Sequence, residues 1–206
     1  MNDSLDHTVL LGPLILASAS PRRAQWLEAL RIPFEKLAPD VDETPLIDEP
    51  ASDMVLRLAE LKAEVVARRH PGRWVLASDT TVALEEHVLG KPVDEDDAVR
   101  MLGLLQGRTH QVHTGLALRR DDELHSFVDT AEVRFRPLSE AQARWYAGTG
   151  EPMDKAGSYA IQGIGALFVA EVKGSFATVM GLPVERLSEL LARLGLLQLW
   201  MGLPRA

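Results

Sequence analysis

Apolar positions along the chain fall into short compact runs and longer stripes of helical period. Leu14–Ala17 is an unbroken apolar run, as a buried strand requires, and Pro21–Leu30 then spaces Trp26, Leu27 and Leu30 with Gln25, Glu28 and Arg31 between them, as an amphipathic helix does. Phe34–Ala38 predicts a second short strand, closed by Pro39-Asp40-Val41-Asp42-Glu43-Thr44-Pro45. Ser52–Arg69 predicts a long helix with Val55, Leu58, Ala59, Leu61, Val65 and Val66 toward the core, broken by Pro71-Gly72. Trp74–Ser78 reads as a strand ending at Asp79-Thr80-Thr81, with Val82–Leu84 extended beyond it and Glu85-Glu86-His87 as a turn.

Asp94–Leu105 predicts the next helix, stopped by Gly107, and Val112–Leu118 and Phe127–Phe135 predict strands on either side of a turn at Arg120-Asp121-Asp122-Glu123. Ser139 and Gln142 have the spacing of a capping box for a helix through Tyr146. Gly148–Gly165 is a glycine-rich loop region, Leu167–Val172 a strand, and Pro183 opens a last helix through Leu191 and Leu194. Interleaved helices and strands, with consecutive strands from Val112 to Phe135, suggest a mixed sheet in an α/β protein, with room for two lobes, rather than a strictly parallel sheet. There is no internal repeat or linker. Residues 1–206 are therefore expected to form a single domain, with 1–12 and 196–206 as terminal extensions and the apolar tail (Leu197, Leu199, Trp200) packing or pairing with something.

Composition narrows the function. With 46% hydrophobic and 25% charged residues the chain is ordinary for a soluble globular protein, and no apolar run reaches membrane-spanning length. There is no cysteine, hence no disulfide framework and no thiolate ligand or nucleophile, which is compatible with the cytoplasm. A secretory signal is not expected: Val9–Leu16 is apolar and Ala17-Ser18-Ala19 looks like a cleavage site, but Asp3 and Asp6 precede it with no Lys or Arg. The net charge of −8 argues against a general nucleic-acid binder, and leaves room for a local basic pocket that would suit a small phosphorylated ligand.

The junction Ser18-Ala19-Ser20-Pro21-Arg22-Arg23 carries the first chemical signal. A strand that delivers hydroxyls and arginines to a helix N-terminus builds an anion site from unpaired N–H groups and fork-shaped donors, with Ser20 suited to the N-cap and Pro21 to the first helical position. A capped helix with two solvated arginines fits that segment equally well. Asp79, at the end of a strand, could hold a hard cation or take a proton from water; a turn cap is the plain alternative. Asp40, Asp42 and Glu43 could join it around a metal, or form a solvated acidic loop. Lys62, Lys91 (in Gly90-Lys91-Pro92) and Lys155 could face phosphate or solvent. In Asp154–Gly163 the glycines permit close backbone approach, and Gln162 offers a donor and an acceptor, as reading a base edge requires. The six histidines show no metal-binding pattern.

Taken in order, these segments resemble one family, the Maf nucleoside triphosphate pyrophosphatases. The carriers are Ser18-Ala19-Ser20-Pro21-Arg22-Arg23, Val41-Asp42-Glu43-Thr44, Ala59-Glu60-Leu61-Lys62-Ala63, Ser78-Asp79-Thr80, Gly90-Lys91-Pro92, His113-Thr114-Gly115, Asp154–Gly163 and Val179-Met180-Gly181-Leu182-Pro183, and the resemblance as a whole runs from about Leu14 to Leu191. Departures, such as Ala177-Thr178 after Gly174, do not touch these positions.

The resemblance implies a mixed twisted sheet with flanking helices and two lobes around a cleft, like that of the inosine triphosphate pyrophosphatases, and hydrolysis between the α and β phosphates with a divalent cation, Mg²⁺ or Mn²⁺. It also implies a cytoplasmic, often dimeric enzyme. It assigns Asp79 as the base, Glu43 to the metal and phosphate site, and Ser18, Arg23, Lys62 and Lys91 to the triphosphate; Asp79 is expected to share the metal with Glu43. At Arg22, Thr80 and Gln162 the chain follows the branch that prefers dTTP and UTP, not the one resembling 7-methyl-GTP pyrophosphatases, which tends to carry Gln after the Asp, Trp before the second Arg and Glu in place of Gln162. A house-cleaning pyrophosphatase for modified nucleotides, or a nucleotide-binding regulator of septum formation, are the rival expectations.

Overall fold

The computed structural model describes residues 12–197; the expectations for the first eleven residues and for Leu199 and Trp200 lie outside the described residues. Strands β1 (Leu14–Leu16), β2 (Phe34–Lys36), β3 (Val75–Leu84), β4 (His87–Leu89), β5 (Thr109–Arg120), β6 (Glu123–Phe135) and β7 (Val169–Lys173) form one sheet in the order β2-β1-β3-β5-β6-β7, with β4 paired to β3. β1 is parallel to β2 and β3, and the other pairings are antiparallel, so the mixed α/β sheet expected from the sequence is present. Helices α1 (Pro21–Ala29), α2 (Ala51–Ala67), α3 (Glu95–Leu105), α4 (Glu140–Ala147), α5 (Phe176–Val179) and α6 (Val184–Arg193) flank it.

Strand periodicity divides the core. Leu14, Leu16, Leu76, Leu116 and Leu118 point to one face and pack against Leu27 of α1 and Leu187, Leu190 and Leu191 of α6, joined by Leu196 and Leu197. Their neighbours Ile15, Ala17, Val75, Ala77 and Ala117 point to the other face and meet Ala59, Ala63, Val66 and Ala67 of α2. The small side chains on both partners let α2 lie close to the sheet. A third cluster joins the far ends of β3, β5 and β6 to α3, α4, Tyr159 and Phe168.

Several boundaries differ from expectation. Asp79 does not stand at the end of a strand. β3 runs unbroken for ten residues through it, because β5 hydrogen-bonds alongside from Val75 to Ala83, so the polar Ser78–Thr81 run lies within the strand. The carboxyl end that opens the site belongs instead to β1, which pairs with β3 only at Val75 and Leu76. β4 takes up the same edge again at Val82–Leu84, and among the described residues no strand pairs it over Ala77–Thr81. The turn expected at Glu85-Glu86-His87 is the tight end of the β3–β4 hairpin, with His87 already in β4. The short helix α5 has no expected counterpart; Ser175 caps it by accepting from the Thr178 N–H. The capping box of α4 is present as expected.

Candidate active site

The gap in the β3 edge opens into a cavity of about 950 Å³, within the range of small-molecule sites. Ser18, Arg22, Arg23, Glu43, Lys62, Asp79, Thr80, Lys91 and Gln162 all line it, so every expected site residue reaches one place. Of the acidic trio only Glu43 does. Asp40 is not part of the lining, and Asp42 instead accepts from the Thr44 N–H in its own loop.

Because strand side chains alternate, Asp79 projects to the α2 face of β3 and Ser78 and Thr80 to the opposite face. On the α2 face, Lys62 lies on the buried stripe of the helix, and its ammonium bridges two carboxylates: Nζ is 2.6 Å from Asp79 Oδ1 and 2.8 Å from Glu43 Oε1. Lys62 and Asp79 are almost buried, whereas Glu43 is half-exposed in its loop.

On the other face, Arg23 is buried and its guanidinium is fully directed. Nη1 donates to Ser18 Oγ at 2.9 Å, Nε to the Gly181 carbonyl at 2.9 Å and Nη2 to Thr80 Oγ1 at 3.2 Å. Burial lowers the pKa of this guanidinium from the usual arginine value, and the nearby Asp79 charge opposes that shift. Ser78 Oγ also donates to the Gly181 carbonyl. Gly181 has φ +92°, and a β-carbon there would stand 3.2 Å from Thr80 Oγ1, so glycine permits this convergence.

Hydroxyl directions follow from the partners. Ser18 Oγ accepts from the Ser20 N–H and from Arg23, which leaves its own proton free to donate into the cavity. Thr114 Oγ1 donates to the Thr178 carbonyl, so it must accept from Thr80 in their 3.0 Å contact. Thr80 therefore offers the cavity only an acceptor. Ser20 occupies the N-cap of α1 as expected, but its side chain makes no capping bond.

Lys91 is exposed at the rim, and no ion pair holds it among the described residues. Arg22 approaches Asp154 at 3.4 Å. Lys155 also lines the cavity, with its ammonium donating to Asp154 and to the Glu151 carbonyl. Sequence reasoning missed Glu151, which also lines the cavity, and the packing glycines Gly115 and Gly181 as supports of the site. It did not place Lys62 on the core face of its helix, although a lysine in register with Val55, Ala59 and Val66 signals just that.

Residues 13–194 match the Maf-like protein family. The chain belongs to the Maf family. Its relatives include the dTTP/UTP pyrophosphatases of Myxococcus xanthus (54% identical, 91% of this chain and 95% of that protein), Symbiobacterium thermophilum (49%, 88% and 94%) and Halalkalibacterium halodurans (46%, 85% and 93%). Among solved structures, the Ham1 protein of Staphylococcus aureus overlaps this Maf protein with a TM-score of 0.41 at 16% identity, over 60% of this chain and 72% of that one. No helix of this Maf protein, among the described residues, is long and apolar enough to cross a membrane.

Proposed function

We propose that this Maf protein hydrolyses dTTP and UTP between the α and β phosphates, giving the monophosphate and pyrophosphate. The supporting observation is the Lys62 ammonium bridging Asp79 and Glu43 in the cavity that also presents Ser18, Arg23 and Lys91. The names of its relatives point to the same substrates. Both halves of the chain line the cavity, so we read it as one catalytic domain whose two lobes flank the substrate cleft. As dTTP and UTP are cytoplasmic nucleotides, the activity would operate there.

The donor chemistry suits a hard divalent cation. Asp79 Oδ1 and Glu43 Oε1 converge on one point that already favours positive charge. Mg²⁺ or Mn²⁺ accepts one or two carboxylates when phosphate and water complete its shell. Among the described residues no third Asp, Glu, His or Cys joins them, so the rest of the shell falls to substrate and water. When bound, the ion would supply Lewis-acid charge at the phosphates.

The chain's own residues then divide the work. Lys62 holds Asp79 through Oδ1, leaving Oδ2 to accept a proton from the attacking water. Arg23, Lys62 and Lys91 offset the negative charge that grows on the leaving pyrophosphate. Ser18 donates its free proton to a phosphate oxygen; with no histidine among the described residues hydrogen-bonded to it, it is not set up as a nucleophile. Gln162, with Arg22 and the Thr80 acceptor, reads the pyrimidine.

Pyrophosphate release by purified protein with magnesium, across canonical, methylated and oxidised triphosphates, tests this reading. Fastest turnover of dTTP and UTP supports it. A modified nucleotide turned over faster assigns a house-cleaning role, and silence across the panel points to a binding module.

A further inference from the structure

Glu151 lies in the loop after α4, outside every segment tied to phosphate chemistry. Its carboxylate nevertheless receives three hydrogen bonds. The Tyr146 hydroxyl donates to Oε1 at 2.9 Å, the Gly165 N–H to Oε1 at 3.0 Å and the Ile164 N–H to Oε2 at 2.9 Å. Tyr146, whose ring is fully buried, accepts in turn from the Ala160 N–H at 3.0 Å. Burial disfavours the Glu151 charge, but the Gly165 and Ile164 N–H groups, the Tyr146 hydroxyl and the Lys155 charge together outweigh it and hold the carboxyl below its ordinary range. The fit is close: a β-carbon at Gly163 would stand 2.8 Å from Glu151 Oε2, and one at Gly165 would stand 2.7 Å from the Tyr146 hydroxyl.

These bonds grip the segment Ala160–Gly165 at both ends, directly at Ile164 and Gly165 and through Tyr146 at Ala160. Gln162 stands between the two grips, exposed at the cavity. An exposed amide on a glycine-flanked turn has no rigidity of its own, and selection by hydrogen bonding needs its donor and acceptor fixed in place. We propose that Glu151 is the positioning residue for base selection, acting through the Ala160–Gly165 turn to aim Gln162. This rests on the reading of Gln162 given above.

Glu151→Gln tests it, because an amide supplies one acceptor oxygen and turns a donor toward a second N–H. The Ile164 and Gly165 amide protons should exchange with solvent about tenfold faster. The ratio of kcat/KM for dTTP over dATP should fall about tenfold through KM, with kcat for dTTP held within about threefold. Tyr146→Phe, which keeps the buried ring, should move both readouts the same way by a smaller factor, and it decides the matter if Glu151→Gln does not fold. Unchanged selectivity, or equal losses for dTTP and dATP, overturns the proposal. Wild-type protein that releases no pyrophosphate overturns the reading of the site instead, and unchanged amide exchange then overturns the anchor as well.

Discussion

Asp79 on β3 and Gly115 on β5 are register partners, and the missing side chain at Gly115 is what lets α2 settle over Asp79. A β-carbon at Gly115 would lie 2.2 Å from the Val55 carbonyl oxygen, well inside contact distance. Val55 is two helical turns before Lys62 on the same stripe, so the height of α2 above the sheet sets the 2.6 Å bond from Lys62 to Asp79. Gly115→Ala must therefore lift the helix. The expected result is a loss of about 1–3 kcal/mol of stability, as overpacking gives, with a larger proportional loss of activity. Thermal melting beside pyrophosphate release checks it; wild-type turnover would show that the helix height is immaterial.

Asp79→Asn keeps shape and removes the base. Turnover of dTTP should fall by about 10²–10⁴ with the fold retained, the range for a lost general base. Lys62→Met should differ, since it strands a nearly buried carboxylate and, unlike Asp79→Asn, should lower stability by up to about 3 kcal/mol. Steady-state kinetics and melting on the two variants distinguish a base from a structural pair. Near-wild-type turnover by Asp79→Asn would remove Asp79 from the chemistry.

Two carboxylates held to one ammonium make a weak metal site without substrate phosphates. Excess chelator should abolish pyrophosphate release, and added Mg²⁺ or Mn²⁺ should restore it. The melting temperature of the protein without nucleotide should barely change, because the ion pairs hold the site by themselves. Activity that survives the chelator would exclude the metal.

Much of this arrangement was legible in the sequence, for identifiable reasons. Strands and helices followed from local periodicity, and residue type marked the Ser18–Arg23 junction and Gln162 as candidates that the fold then brings to one cavity. The run of β3 through Asp79 was not legible, because the partner that sustains it, β5, is distant in sequence and polar residues inside a strand look like its end. Glu151 gave no signal either: its importance lies in three donors that only the folded loop brings together.

A buried histidine sets an acid limit on stability. His110 is nearly inaccessible; Nε2 meets the Tyr159 hydroxyl at 2.9 Å, Nδ1 has no partner among the described residues, and burial lowers its pKa to about 4. Between that value and the unfolded one of about 6.5, the unfolded chain binds the extra proton, so stability falls as pH falls. The full effect, roughly 3 kcal/mol, is reached near pH 4. Denaturant midpoints of wild type and His110→Gln from pH 7.5 to 4 should diverge over that window, with the variant flatter. Parallel curves would show that His110 is not the titrating group.

The Gln162 carboxamide is matched to a pyrimidine edge. Uracil and thymine present an acceptor oxygen beside an N–H donor, and a carboxamide can satisfy both at once. Gln162→Glu removes the donor and adds a negative charge. The charge repels any triphosphate, so it lowers kcat/KM for all of them alike; the lost donor penalises only substrates whose oxygen it served. The dTTP-to-dATP ratio should therefore fall by about 10²-fold beyond the common loss. Thr80 cannot substitute for the missing donor, because its only hydroxyl proton is directed at Thr114. A uniform loss across substrates would leave charge as the whole effect and take base reading away from Gln162.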